Sequence, residues 1–146
     1  MAHSQIRDAT RATQLVLFDG LRFGRSIVPT DIDGLVEFGG KLFIVFELKY
    51  HVATLGDSIE TLMSGAQEKC LVRVCTILST AAPTLLVEAH HEYDSACAVD
   101  AAETLVHRYW FGKPGTDGRW HTPSVPTSLR GLMLAAVRRY AQECMP

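Results

Sequence analysis

The chain has 146 residues, 47% of them hydrophobic, and a formal net charge of −2. That length fits one domain with one substantial core, and no apolar run approaches the roughly 18 residues that a membrane span needs. The mild acidity counts against a broad basic surface of the kind that holds phosphates over a wide face, and leaves room for a local basic patch.

Residues 4–18 read as a helix that Asp19-Gly20 ends, and residues 21–28 as a short first strand. Residues 31–38 and 42–50 are apolar strand runs joined through Gly39-Gly40, the strongest hairpin signal in the chain. Helical spacing of Ala66, Cys70, Leu71, Val74, Ile77 and Leu78 predicts a helix over 65–80, stopped by Ala82-Pro83. Residues 84–93 and 103–111 read as strands, and Gly112 to Gly118 as a turn before a short return strand at Arg119-Trp120-His121. Pro126-Thr127-Ser128 opens a final helix over about 128–143, with Leu129, Leu132, Met133, Ala136, Val137 and Tyr140 on one face. The order α-β-β-β-α-β-β-α predicts a mixed α/β (α+β) sheet with helices packed on it, in a single domain over 1–146.

The hairpin carries charges where a core strand would carry Val or Ile. Asp31, Asp33, Leu35 and Glu37 alternate onto one face of the first strand; Phe43, Val45, Glu47 and Lys49 share one face of the second. The opposite faces, Ile32-Gly34-Val36-Phe38 and Leu42-Ile44-Phe46-Leu48, are apolar or glycine. These apolar faces coincide only if Gly39, Gly40 and Lys41 form a three-residue loop or an equivalent bulge. That register puts Phe38 opposite Leu42, Asp33 opposite Glu47 and Asp31 opposite Lys49. A two-residue loop would place Asp33 and Glu47 on opposite faces. Two carboxylates beside an ammonium suit a hard divalent ion, Mg²⁺ or Mn²⁺, and a lysine there can orient water or stabilise charge developing on phosphorus. The plainer reading of these residues is a buried salt bridge between Lys49 and Glu47 or Asp33.

Pro29-Thr30-Asp31-Ile32-Asp33, followed by Glu47-Leu48-Lys49 with Glu47 fourteen positions after Asp33, resembles the PD-(D/E)xK nuclease superfamily. The resemblance implies a restriction-endonuclease-like core, α-β-β-β-α-β, over about 4–93, with helices flanking the sheet. Residues 94–146 then form a variable extension with a β-hairpin and a helix. It implies that Asp33 and Glu47 bind the metal, that the Leu48 carbonyl joins them, and that Lys49 is the catalytic lysine. Asp31 and His51 are auxiliary candidates. Some branches carry a glutamine on the following helix, a role that Gln67 matches. The implied activity is Mg²⁺- or Mn²⁺-dependent DNA cleavage, structure-selective or weakly sequence-specific. Sequence-specific cutting at this size calls for a homodimer or a recognition partner. Small stand-alone members of this kind resemble those of phages and mobile elements, where they serve recombination, repair or packaging. The alternative is an inactive nuclease-like domain that binds nucleic acid or a protein partner.

Other polar features carry weaker signals. The basic residues Arg22, Arg25, Lys41, Lys69, Arg73, Arg108, Lys113 and Arg119 are candidates for phosphate contacts. Among six histidines there is no HxxxH or HExxH, and His90-His91 point to opposite strand faces. Glu88, His90 and Glu92 share a face that reads as a solvated edge. Tyr109-Trp110-Phe111 and Trp120 read as cross-hairpin packing rather than base-stacking groups. The four cysteines, Cys70, Cys75, Cys97 and Cys144, contain no CxxC pair, which argues against a zinc ribbon and predicts free, buried thiols. The N-terminus, MAHSQIRDATRAT, has no apolar signal segment, so the expected location is cytoplasmic, with no membrane partner.

Overall fold

The computed structural model describes residues 32–51, 63–92 and 101–145. They form a mixed α/β unit: β1 (Gly34–Glu37), β2 (Phe43–His51), α1 (Gly65–Ser79), β3 (Thr84–Glu92), β4 (Leu105–Lys113), β5 (Thr116–His121) and α2 (Leu129–Tyr140). The expected helix over 4–18, the strand over 21–28 and Asp31 lie outside the described residues. Short 3₁₀ turns at Ala101–Glu103 and Gln142–Cys144 flank β4 and α2, so the final helix is shorter than expected. No helix among the described residues is long and apolar enough to cross a membrane.

The five strands lie in the order β1-β2-β3-β4-β5. Neighbours run antiparallel except β2 and β3, which are parallel and joined through α1. A parallel pair needs a crossover connection, and the helix between residues 65 and 79 belongs to it.

The hairpin register is the one that the apolar pattern demanded. Gly34 pairs with Phe46 and Glu37 with Phe43, and the ladder continues to Phe38 N–H donating to the Leu42 carbonyl at 2.9 Å. Gly39 and Gly40 both take left-handed φ, +56° and +71°, which side chains disfavour. Lys41 N–H donates to the Phe38 carbonyl at 2.9 Å, so Lys41 is the extra residue, bulged between turn and strand. β1 is shorter than expected and begins at Gly34, leaving Asp33 just before it.

Alternation on β2 and β3 divides the core between two faces. Ile44, Leu85, Val87 and Val106 meet Leu129, Ala136 and Val137 of α2, with Phe46 and Leu48 packed alongside. Val45, Leu86 and Trp110 meet Leu71 and Cys75 of α1. The two helices therefore cover opposite faces, and each has a serine N-cap: Ser64 accepts from Gln67 N–H, and Ser128 from Gly131 N–H.

Gly112 and Gly118 do not belong to a long turn. Strands β4 and β5 run up to Pro114-Gly115, and Trp110 pairs with Trp120 across them. Gly118 is there for room: a Cβ on it would lie 1.7 Å from Trp110 Cζ2. The aromatic residues pack as expected, with Tyr109 stacked on His121 and Phe111 on Tyr140. The thiols differ from expectation, since Cys75 is buried whereas Cys70 and Cys144 are exposed.

Candidate functional site

Alternation puts Glu47 and Lys49 on the same face as Val45, beneath the start of α1. One turn of helix beyond its Ser64 cap, α1 presents Gln67 to them. Lys49 Nζ donates to Glu47 Oε1 at 2.6 Å and to Gln67 Oε1 at 3.0 Å. Gln67 Nε2 donates to the same Glu47 Oε1 at 2.5 Å. The carboxylate, the ammonium and the amide thus close a ring in which each touches the other two.

Asp33 closes the site from the β1 side. Its Oδ2 accepts the Leu48 main-chain N–H at 2.7 Å, across the hairpin from Glu47. N–H and C=O of one strand residue point to the same edge, so the Leu48 carbonyl faces the Asp33 side as well. Register alone does this, because Gly34 opposite Phe46 leaves Asp33 next in line for Glu47.

Glu47 is 3% exposed, and its Oε2 is buried without a hydrogen-bond partner. Burial pushes its carboxyl above the ordinary range and the charge on Asp33 adds to the rise, while Lys49 and Gln67 oppose it. An orphaned, buried carboxylate oxygen beside a second carboxylate fits a hard divalent ion, which would take the remaining positions as water or phosphate oxygen. Among the described residues there is no group of three or more His, Cys, Asp or Glu arranged to hold a metal, so the fit rests on these two carboxylates and the Leu48 carbonyl.

The other candidates are placed less centrally. Lys69 is exposed, and two residues beyond Gln67 is about 200° around the helix, away from the site. β2 continues through His51, whose side chain lies outside the described residues, as do Arg22 and Arg25. Two of the candidate phosphate contacts are committed elsewhere: Lys41 pairs with Glu143, and Arg108 with two carboxylates.

A second polar cluster adjoins the first and corrects the reading of β3 as a solvated edge. β3 is the middle strand, so both its edges are paired, and a helix packs on each face of the sheet; Glu88 is 1% and His90 8% exposed. Parallel pairing sets Glu88 beside Glu47 and His90 beside Lys49. Glu88 Oε2 accepts from Arg108 Nε at 2.5 Å and Oε1 lies 3.3 Å from His90 Nε2. Arg108 Nη2 donates to Glu68 Oε2 of α1 at 3.1 Å, and its guanidinium lies 4.1 Å from the Trp120 ring centroid. Burial works against ionisation of Glu88, but His90 and Arg108 outweigh it and hold the carboxyl down at about 2. His90 also stacks on His107, whose pKa is lowered by burial and then by the neighbouring His90. The sequence held a signal for this cluster: Glu88-Ala89-His90 repeats the spacing of Glu47-Leu48-Lys49 in a second apolar strand.

Comparison with family models, with curated proteins and with solved structures finds no match to this chain.

Proposed function

We propose that the chain is a metal-dependent nuclease that hydrolyses DNA phosphodiester bonds, with a restriction-endonuclease-like core and with Asp33, Glu47, Lys49 and Gln67 at its centre. The observation that carries this reading is the convergence on Glu47: the hairpin register sets Asp33 across from it, strand alternation puts Lys49 on its face, and α1 brings Gln67 onto the same carboxylate. Mg²⁺ or Mn²⁺, when bound by Asp33, Glu47 and the Leu48 carbonyl, supplies Lewis-acid polarisation of the phosphate and an activated water. Lys49 holds its ammonium beside Glu47, where it can orient that water and stabilise the charge growing on the phosphoryl oxygens. Gln67 fixes both partners, so the ammonium cannot swing away from the carboxylate. Hydrolysis forms a P–O bond to the water oxygen and breaks the ester P–O bond, leaving a phosphomonoester and an alcohol. DNA of weak sequence preference is the substrate class that fits, with a homodimer or a recognition partner supplying any specificity.

A second reading, a domain that binds nucleic acid without cutting it, draws on the closed Lys49–Glu47 pair, which already satisfies one carboxylate oxygen. Incubation of supercoiled, linear, branched and single-stranded DNA with Mn²⁺ separates the two. The nuclease reading expects cleavage that falls at least a hundred-fold in Lys49→Ala, a loss on the order of that for one electrostatic group. Cleavage unchanged in that variant overturns the mechanism, and binding without cleavage selects the second reading.

A further inference from the structure

Arg108 reaches from β4 across the α1 face and is gripped from three sides. Its Nε meets Glu88 at 2.5 Å, its Nη2 meets Glu68 at 3.1 Å, and Trp120 lies under its plane at 4.1 Å. The two carboxylates differ in setting. The Glu88 side chain is 1% exposed and belongs to the sheet, whereas that of Glu68 is 28% exposed and belongs to the first turn of α1. A planar guanidinium presents its donors to two such carboxylates in a fixed fork, whereas an ammonium is a rotating point charge on a flexible stem.

Glu68 is the residue after Gln67, and α1 starts at Gly65. The first turn of α1 is thus held by the Ser64 cap, through the Gln67 main-chain N–H at 3.2 Å, and by Glu68 through Arg108. The Gln67 side chain must meet Glu47 at 2.5 Å and Lys49 at 3.0 Å together. A displacement of the turn by about 1 Å would break that double contact, and misplacement of this size is costly to catalysis.

We infer that Arg108 is a positioning residue: it braces the first turn of α1 against the buried floor of the sheet, through Glu68 and Glu88, so that Gln67 holds Glu47 and Lys49 in register. The kinetic consequence rests on the nuclease reading; the placement of Gln67 does not. Burial and stacking suit a brace rather than a phosphate contact, because two edges and one face of the guanidinium are already used.

The test uses Glu68→Ala, which releases α1 from the brace and leaves the Arg108–Glu88 pair in place. The readout is the Gln67 side-chain amide pair in isotope-labelled protein, assigned by its disappearance in Gln67→Ala. The brace predicts a shifted, slowly exchanging pair in the wild-type protein that moves to free-glutamine positions in Glu68→Ala. It stays shifted in Glu68→Gln, whose amide oxygen still accepts from Arg108. Arg108→Lys, which keeps the charge beside Glu88 but lacks the fork, releases the pair too and serves if Glu68→Ala does not fold. Cleavage falls roughly ten-fold in kcat at unchanged KM in Glu68→Ala, the size expected for loss of a supporting contact, and falls no further when Glu68→Ala is added to Gln67→Ala. An amide pair that keeps its position in Glu68→Ala and Arg108→Lys overturns the inference, as does additive loss in the double variant. If the wild-type protein cuts no DNA, the nuclease reading fails and the amide signals alone decide the brace.

Discussion

Replacing Glu88 by Gln removes one charge and almost no volume from the centre of the sheet. The carboxylate is 1% exposed and is held at about 2 rather than 4.5, because His90 and Arg108 outweigh the burial that opposes its ionisation. A depressed pKa is a stability statement: the contribution is complete above the unfolded value of 4.5 and is lost as pH falls toward 2. The interval corresponds to about 3 kcal/mol. Removal of one partner from a buried ion pair costs on the order of 3 to 5 kcal/mol, so two independent routes give the same size. Glu88→Gln is therefore expected to lose about 3 kcal/mol at neutral pH, a large share of the stability of a domain this small. Denaturant unfolding of both proteins, with chelator present, should show the gap between them shrinking as pH falls from 4.5 toward 2, because the wild-type protein loses its advantage there and the variant has none to lose. A gap of constant size across that range would refute the reasoning, since the loss would then come from packing and not from charge.

Gly118→Ala should lower stability by about 1 to 3 kcal/mol, read as a fall in melting temperature, because its methyl would start 1.7 Å from Cζ2 of the buried Trp110 ring. The thiols should divide by burial: in a Cys97→Ser background, an aromatic disulfide reagent at neutral pH should titrate Cys70 and Cys144 in the folded protein and reach Cys75 only after denaturation. Burial pushes the Cys75 thiol up to about 12, so it offers almost no thiolate while folded.

What could be read from the chain was local. Two apolar faces with period two, and glycines at 39 and 40, allowed one hairpin register, and Asp33 falls across from Glu47 because of it. Helical spacing and the Ala82-Pro83 stop placed α1, and Pro126-Thr127-Ser128 with its own apolar spacing placed α2, to within a few residues. The rest depends on which strands become neighbours. Glu88 and His90 looked like a solvated face because nothing within β3 says that it pairs with β2 on one side and β4 on the other. Arg108, the cation that lets Glu88 be buried, stands 20 positions later, and Glu68, the other carboxylate it holds, 20 positions earlier, with no periodicity to link them. Gly118 was read as a turn glycine because the need it meets, room for an indole eight positions earlier, exists only once β4 and β5 are paired.

The bulge at Lys41 leads to a sharper expectation about the site. Gly39 and Gly40 already hold the left-handed φ values that a two-residue hairpin loop uses, and Lys41 N–H already closes on the Phe38 carbonyl. Lys41 is therefore an addition to a turn that needs only the two glycines. Deleting it joins Gly40 to Leu42, keeps Phe38 opposite Leu42, and so keeps Asp33 opposite Glu47. Its pairing with Glu143 is lost, but both side chains are more than half exposed, and such pairs contribute little. The deletion variant should fold with the Leu48 amide as well protected from hydrogen exchange as in the full chain, because that amide donates to Asp33 Oδ2 and reports the register directly. Loss of protection at Leu48, with the amides between β2 and β3 still protected, would mean that Asp33 had left its place, and that the bulge rather than the apolar pattern sets the facing of Asp33 and Glu47.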